Sequence, residues 1–288
     1  MKRLLTLLLV LMMAVALSAC GGTNAPSDDE QTSGNDDPGK KVLRVAMECA
    51  YAPYNWTQPT DENGAVLISG TTDDYAYGYD VMMAKLIAEK LDYDLEIVSL
   101  GWTGIIPAVQ SGTVDAAICG QSITSKRMEM VDFTEPYYYA TIVVLVQEDG
   151  KYANAESVAD LAGATATSQL NTIWDDVCVP QIPDVNALPG QESAPAMIEA
   201  LNSGRVDLVV TDQPTGLAAA SANPNLKMLE FEGENGFEVS DEDINIGISL
   251  KKGNDELREA INTVLVDLSE EDFKDMMNDA IAVQPLSE

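Results

Sequence analysis

The side chains that most often perform nucleophilic and acid–base chemistry are scarce in this sequence of 288 residues. It contains no His, which removes the commonest general base and metal ligand, and with it Ser/His and Cys/His catalysis. Its four cysteines, Cys20, Cys49, Cys119 and Cys178, form neither a CxxC pair nor a zinc-binding pattern. The chemistry that remains available is that of carboxylates, a few cations and aromatic rings.

The charge balance is strongly acidic, with 47 Asp and Glu against 16 Lys and Arg and a net charge of −31. This excludes nucleic acid as a partner, because phosphate binding requires a basic surface. It also disfavours docking on an anionic membrane through protein charge. Hydrophobic residues make up 46% of the chain, which is enough for the packed core of one or two domains.

The N-terminus has the features of a secretory signal. Lys2 and Arg3 precede an apolar stretch over 4–17 that is too short for a comfortable transmembrane span. The stretch ends in Leu-Ser-Ala-Cys at 17–20, which resembles the bacterial lipobox, in which cleavage leaves a lipidated Cys as the new N-terminus. The alternative is an ordinary signal peptide with an incidental Cys.

We therefore predict a signal peptide over 1–19 and a lipid on Cys20 that anchors the protein outside the cytoplasm to the cell membrane. Several buried acyl chains hold a protein stably at a bilayer. Residues 20–40 lack apolar periodicity and are rich in Gly, Ser, Asn and Asp, which predicts a flexible acidic tether.

Strand and helix patterns alternate from Val42 onward, which predicts an α/β fold. Strands are predicted over 43–47, 95–98, 115–119, 142–146, 164–167, 207–211 and 244–250. Helices are predicted over 80–91, 105–110, 172–177, 194–201 and from 254 to about 282. We expect Asp80 to cap the first helix, residues 157–160 to form a capping box, and residues 55–77 to form a hairpin or surface loop.

The second half of the chain partly repeats the sequence pattern of the first. The predicted strand after Ser111-Gly112 matches in kind the strand after Ser203-Gly204. Two similar lobes would explain this repetition.

Seven short motifs together resemble the family 3 extracellular solute-binding proteins, the amino-acid receptors of bacterial ABC importers. In chain order they are YAPY at 51–54, GYD at 78–80, WTGIIP at 102–107, GTVD at 112–115, SITSKR at 122–127, DFTEPY at 132–137 and GRVD at 204–207. Each motif alone is weak, but their order and spacing over residues 42–282 identify the chain as a member.

The resemblance implies a two-lobed type II periplasmic-binding-protein fold. Each lobe is expected to be a sheet flanked by helices, with a ligand cleft between the lobes and two hinge crossings. The implied boundaries are 41–144 and 246–288 for the first lobe and 145–245 for the second. The implied partners are a free amino acid and the permease subunits of an ABC transporter, and the expected state is a monomer.

A zwitterionic ligand requires a partner for each of its charges, because an unpaired buried charge is expensive. By the resemblance, Arg127 would bind the ligand carboxylate through its guanidinium fork, assisted by Gly120, Ser122 and Thr124. Asp212 would bind the ammonium from the end of a strand; the alternative is a turn-forming Asp before Gln-Pro.

The loop Gln169-Leu170-Asn171-Thr172 resembles the family's second-lobe loop, with Asn171 in place of the usual Gly. Thr172 would add donors to the carboxylate. Asn tolerates left-handed dihedral angles, so the loop geometry is compatible with this residue.

The ligand side chain would lie between Tyr51 and Trp102, whose rings are expected to face each other and could hold an apolar chain or a guanidinium. Glu48, at the end of the first strand, would pair with a cationic or amide side chain. The prediction is therefore a basic or amide amino acid, with arginine first.

Cys49 and Cys119 end neighbouring strands, where either a disulfide or two unpaired residues would fit. No cofactor or metal is expected.

The alternatives to an importer subunit are a prephenate- or arogenate-type dehydratase on the same fold, for which Glu48 could act as the acid, and a ligand-sensing receptor domain.

Overall fold

The computed structural model describes residues 39–285, so the predicted signal peptide, Cys20 and most of the tether lie outside the described residues. The strands are β1 Lys41–Met47, β2 Ala50–Tyr51, β3 Asn55–Gln58, β4 Val66–Leu67, β5 Tyr75–Tyr77, β6 Tyr93–Ser99, β7 Ala116–Ala117, β8 Asp132–Tyr139, β9 Ile142–Gln147, β10 Thr165–Thr167, β11 Asn186–Ala187, β12 Leu208–Asp212, β13 Leu226–Glu230 and β14 Asn245–Leu250. The α-helices are α1 Tyr79–Lys90, α2 Trp102–Ser111, α3 Ser125–Met128, α4 Ala194–Asn202, α5 Gln213–Ala222, α6 Asp241–Ile244, α7 Asp255–Val266 and α8 Glu270–Val283.

Two five-stranded sheets organise the described chain. Their strand orders are β6-β1-β7-β14-β8 and β11-β10-β12-β9-β13. In each sheet the first three strands pair in parallel, and the last two strands each pair antiparallel with the strand before them. We call the body around the first sheet the first lobe and the body around the second sheet the second lobe.

The predicted repetition is visible in these sheets. β7 and β12 each occupy the central position of their sheet. The turns before them use Gly112 and Gly204 in left-handed conformation, with φ of 78° and 69°. Glycine adopts these angles without a steric penalty, which is why a Ser-Gly pair precedes both strands.

The chain passes between the sheets at two adjacent points. It leaves the first sheet after β8 and enters the second at β9, and it returns at β14. The two crossings are joined by a hydrogen bond from the Ala140 N–H to the Ile244 carbonyl at 2.8 Å. The family-implied lobe boundaries at 144/145 and 245/246 stay predictions.

Residues 55–77, expected to form a hairpin or loop, contribute three strands to a small antiparallel sheet of order β2-β3-β5-β4. This sheet packs beside the start of α1. The N–H groups of Tyr79 and Asp80 donate to the carbonyls of Pro53 and Tyr54, at 3.1 and 2.8 Å. A Cβ at Gly78 would lie 2.4 Å from the Tyr54 oxygen, so only glycine allows this close approach.

Four local predictions were wrong in whole or in part. Asp80 does not cap α1, which begins after Gly78; the carboxylate points inward to other partners. The capping box predicted over 157–160 is incomplete, because the Ser157 side chain caps no backbone N–H; Asp160 accepts the Glu156 N–H at 3.1 Å, and the segment forms only a 3₁₀ turn over Val158–Leu161. The predicted helix over 172–177 is a π-helical turn over Trp174–Cys178. The terminal helical stretch is broken, because Ser269 starts α8 with its own capping box.

Candidate functional site

The nine residues predicted to hold a ligand lie at the contact between the two lobes or next to it. Those from the first lobe follow its strand ends or lie in α2 and α3, and Thr172 and Asp212 come from the second lobe. Five hydrogen-bonded pairs connect the lobes: Tyr51 with Asp212, Glu48 with Gln169, Arg127 with Asn171, Trp102 with Leu170, and Lys126 with Asp176. The first four of these pairs join two of the predicted residues, or one of them and the predicted loop 169–172.

Arg127 is held by the short helix α3 and by the second lobe. Thr124 caps α3, its hydroxyl accepting the Arg127 N–H at 3.2 Å. The guanidinium donates from Nη1 to the Ser122 carbonyl at 2.8 Å and from Nη2 to the Asn171 carbonyl at 3.0 Å, and it lies 5.3 Å from the centre of the Trp102 ring. Burial lowers its pKa to about 10, so the side chain stays cationic at neutral pH.

Asp212 is a buried carboxylate at the end of β12. Its Oδ1 accepts the Thr215 N–H at 3.0 Å and so caps α5, while Oδ2 accepts a hydrogen bond from the Tyr51 hydroxyl. Burial raises the pKa of Asp212, and the hydrogen bonds from Tyr51 and Thr215 oppose this effect. The residue therefore combines a capping role with a carboxylate at the lobe contact.

The two aromatic residues have different neighbours. The Tyr51 ring stacks on Tyr54, with centroids 4.9 Å apart and planes inclined by 15°. The Trp102 indole N–H donates to the Leu170 carbonyl at 2.8 Å while its face meets Arg127. Each ring is thus fixed by a polar contact to the second lobe and by a partner within the first.

Glu48 follows β1 and is 8% exposed. The Gln169 amide nitrogen lies 3.2 and 3.1 Å from its two carboxylate oxygens. Burial raises the pKa of Glu48 to about 7, with the Gln169 hydrogen bond acting in the opposite direction. Gln169 was not chosen as a site residue from the sequence, although its place just beyond a strand of the second sheet is where open α/β sheets carry ligand groups.

The loop 169–172 presents its backbone to the first lobe. Asn171 adopts φ of 57°, the left-handed conformation that its side chain tolerates. The carbonyls of Leu170 and Asn171 accept from Trp102 and Arg127. The Thr172 hydroxyl donates to the Gln169 carbonyl at 2.6 Å and so stabilises the turn.

Gly120 lies directly against Tyr51. Its φ is 66°, and a Cβ there would lie 2.8 Å from the Tyr51 ring. Both the backbone angle and the contact require glycine.

A cavity of about 260 Å³ opens beside Arg127. Four of the nine predicted residues contribute to its wall, namely Trp102, Thr124, Arg127 and Thr172. The rest of the wall combines apolar side chains such as Ile106 and Met130 with polar and charged ones such as Gln121, Lys126 and Asp176.

Cys49, Cys119 and Cys178 are buried free thiols. Burial raises the pKa of the Cys49 thiol to about 12, which keeps it protonated and unreactive at neutral pH. Across residues 39–285 no cluster of metal-ligating side chains occurs, and no helix is long and apolar enough to cross a membrane.

Two lobes, each built on a mixed sheet, with polar side chains meeting between them, form the type II periplasmic-binding-protein fold of the solved structures that resemble this chain, as the family resemblance implied. The chain belongs to the bacterial extracellular solute-binding proteins, family 3, whose sequence profile matches residues 43–279. The predicted family is therefore confirmed. Members of this family are substrate-binding transport proteins that act outside the cytoplasm.

Similar proteins bind different amino acids. The chain is 24% identical over 274 residues to the arginine-binding extracellular protein ArtP of Bacillus subtilis, with 94% of each chain covered. It is also 24% identical over 282 residues to the L-cystine-binding protein TcyA of the same organism, again with 94% of each covered. A solved amino acid ABC transporter substrate-binding protein from Streptococcus pneumoniae, bound to L-arginine, is 27% identical with a TM-score of 0.71, and 84% of this chain and 94% of that one are covered.

Proposed function

We propose that this protein is the lipid-anchored substrate-binding subunit of an ABC importer. It binds a free amino acid between its lobes, with basic or amide side chains preferred and arginine first, and delivers it to the permease. The observation that carries the proposal is the presence of two opposite buried charges on the two sides of the lobe contact, a guanidinium at Arg127 in the first lobe and a carboxylate at Asp212 in the second. The two charges match those of a zwitterion.

The carboxylate of the ligand belongs at Arg127. A guanidinium has five N–H donors, and the bonds to the Ser122 and Asn171 carbonyls fix its plane. Thr124 and Thr172 line the cavity beside it. Gly120 leaves room for the Tyr51 ring, which contacts Asp212 on the other side of the lobe contact. Because the plane of the guanidinium is already fixed, less entropy is lost when a planar carboxylate binds to it.

The ammonium of the ligand belongs at Asp212. The Thr215 N–H holds Oδ1, and the Tyr51 hydroxyl contacts Oδ2. A cation beside this carboxylate would stabilise its ionised form, against the burial that raises its pKa.

The side chain of the ligand belongs near Glu48 and Gln169, between the rings of Tyr51 and Trp102. A carboxylate and an amide side by side offer acceptors for a guanidinium, an ammonium or a side-chain amide. The arginine named for two of the similar proteins supports the basic class, and the cystine named for the third keeps a neutral zwitterion as a comparison ligand. Glutamate is disfavoured, because its second carboxylate would face Glu48.

Binding rather than turnover is the proposed activity. A pair of groups that satisfies both charges of the ligand stabilises its ground state, which by itself accelerates no reaction. The lipid on Cys20 would keep the protein near the permease at the membrane surface, and the acidic tether would provide reach.

The test is calorimetric titration of protein freed of carried-over amino acid, with L-arginine, L-lysine, L-glutamine, L-cystine, L-glutamate and L-leucine at physiological salt. Thermal-shift screening of all twenty amino acids provides the first ranking. We expect arginine to bind tightest and glutamate weakest among the polar ligands. Tightest binding of glutamate, or equal binding of all six, contradicts the side-chain assignment, and binding of none contradicts the proposed function.

A further inference from the structure

One buried carboxylate lies outside the set of predicted ligand-binding residues. Asp80 is 0% exposed in the first turn of α1. Asn55 Nδ2 donates to its Oδ2 at 2.7 Å, and the Tyr137 hydroxyl donates to its Oδ1 at 2.6 Å. None of the ion pairs found within residues 39–285 includes it. A carboxylate buried without a cation is costly, so Asp80 depends on its hydrogen-bond partners.

Each of these two hydrogen-bond partners of Asp80 also accepts a hydrogen bond from a backbone N–H. Asn55 Oδ1 accepts the Cys49 N–H at 2.7 Å, and the Tyr137 hydroxyl oxygen accepts the Gly120 N–H at 3.0 Å. Asn55 and Tyr137 are themselves fully buried. Two chains of hydrogen bonds therefore start at Asp80 and end on the main chain.

Both end points lie in the loops that carry the first-lobe site residues. Cys49 stands between Glu48 and Tyr51, and Gly120 touches the Tyr51 ring. Cys49 has φ of 55° and Gly120 has φ of 66°, the left-handed region in which a non-glycine residue such as Cys49 is strained. Such a backbone persists only where surrounding bonds hold it.

We infer that Asp80 is a positioning residue that fixes both first-lobe binding loops, through Asn55 and the Cys49 N–H on one side and through Tyr137 and the Gly120 N–H on the other. It touches no ligand. It sets the directions in which Glu48 and Tyr51 leave the backbone.

The directions of the hydrogen bonds in this network explain why position 80 is occupied by an acid. The Cys49 N–H occupies the oxygen of Asn55, so Asn55 faces Asp80 with its NH2 group. The Gly120 N–H occupies the oxygen of Tyr137, so Tyr137 faces Asp80 with its hydroxyl hydrogen. Two donors thus meet position 80, and only a carboxylate accepts on both sides. The amide of Asp80→Asn would turn a donor toward one of them.

The same reasoning predicts a rescue. In the double variant Asn55→Asp/Asp80→Asn, the new carboxylate at position 55 accepts from Cys49 N–H and from the new amide at position 80. The oxygen of that amide accepts from Tyr137. Both chains of hydrogen bonds are restored with the acid moved by one residue, whereas each single variant contains a mismatch.

The experiment compares the wild type, Asp80→Asn and the double variant by calorimetry with L-arginine and by the amide-proton chemical shifts of Cys49 and Gly120 without ligand. We expect Asp80→Asn to weaken arginine binding about tenfold, the effect of one lost hydrogen bond to a charged group, and to move at least one amide signal upfield. The double variant should return both signals and bring binding within about threefold of the wild type. Ile87→Val, buried in the same helix but outside the network, should lower the unfolding temperature and leave arginine affinity unchanged.

The ligand readout rests on the proposed function, but the amide signals do not. If the wild type binds no arginine, the arginine preference fails, and if it binds none of the tested amino acids the proposed function fails; in both cases the amide shifts still decide the role of Asp80. Unmoved signals in Asp80→Asn, or signals and affinity that the double variant does not restore, overturn the inference, as does an equal loss of affinity in Ile87→Val. Should Asp80→Asn not fold, Tyr137→Phe is expected to shift the Gly120 signal alone; a Gly120 signal left in place overturns the inference.

Discussion

Replacing Glu48 with Gln should remove the preference for a cationic ligand while keeping the size of the side chain. Glu48 is 8% exposed, and burial raises its pKa from 4.5 to about 7. That change corresponds to about 3 kcal/mol in favour of the neutral acid. A guanidinium beside the carboxylate would reverse this preference, because an opposite charge stabilises the ionised form. Arginine binding is therefore expected to release a proton.

The size of the effect follows from the same pKa. With a value of about 7, roughly one molecule in ten has Glu48 ionised at pH 6 and roughly nine in ten at pH 8. Wild-type affinity for L-arginine should rise about tenfold over this interval. At pH 8, Glu48→Gln should weaken arginine binding at least about 30-fold, since removal of one partner of a buried charge pair costs about 2–5 kcal/mol. L-Glutamine, which carries no side-chain charge, should change by less than about threefold.

The assay is titration calorimetry at pH 6, 7 and 8, repeated in two buffers that differ in ionisation enthalpy. The difference in heat between the buffers counts the protons released, which should be about half a proton per arginine at pH 7 for the wild type and near zero for Glu48→Gln. Glu192→Gln is the matched control, because Glu192 lies near Glu48 but its carboxylate does not accept from Gln169. This control should retain the pH slope.

An unchanged pH slope in Glu48→Gln would refute the reasoning. The proton would then come from another buried acid, and Asp80 is the first to consider, because burial also raises its pKa to about 7. An equal loss of arginine and glutamine binding in Glu48→Gln would equally contradict the assignment, since it would indicate a damaged site rather than a lost charge.

Further predictions concern the zwitterion pair, the anchor and stability. Arg127→Ala and Asp212→Ala should each weaken binding of the best ligand by roughly 30-fold to several-thousand-fold, and losses below about threefold for both in calorimetry would dismiss the pair. Cys20→Ala should abolish lipidation and release the protein into the medium; retention in the membrane fraction with unchanged mass processing would count against the lipid anchor. Without ligand, the free energy of unfolding should fall as pH rises from about 4 to about 7, because burial raises the folded-state pKa of Glu48 and Asp80 above their unfolded values and the folded state therefore binds more protons. Stability by denaturant titration that rises over this interval would reverse the sign.

The fold was predictable because its signals are local and repeated. Apolar runs such as 43–47 and 207–211 coincide with strands of the two sheets, and the two Ser-Gly turns precede the two central strands. The family motifs could also be read directly from the sequence, because they occur in a fixed order along the chain. The small sheet that includes β3 and β5 was less accessible, because its strands are only four and three residues long and too short to show a period.

The site was predictable only where a side chain belongs to a motif. Arg127 and Asp212 stand in such motifs, and the structure brings both to the lobe contact. Gln169 and Asp80 were misjudged for the same physical reason, which is that the meaning of a polar residue depends on partners far away in sequence. Asp80 bonds a residue 57 positions away and Gln169 one 121 positions away, whereas capping and turn signals extend over three or four residues.

The contacts between the lobes also determine what a binding measurement reports. Tyr51 bonds Asp212, and Gln169 bonds Glu48, so groups assigned to the ligand already pair with one another across the lobes. An incoming ammonium or guanidinium must share or replace these partners, and the net free energy is a difference between two sets of buried hydrogen bonds. This reasoning favours the lower part of the range expected for Asp212→Ala, because that change also removes the contact that competes with the ligand. It further implies that Tyr51→Phe, which frees Asp212 from its competitor but keeps the ring, should weaken binding less than Asp212→Ala does.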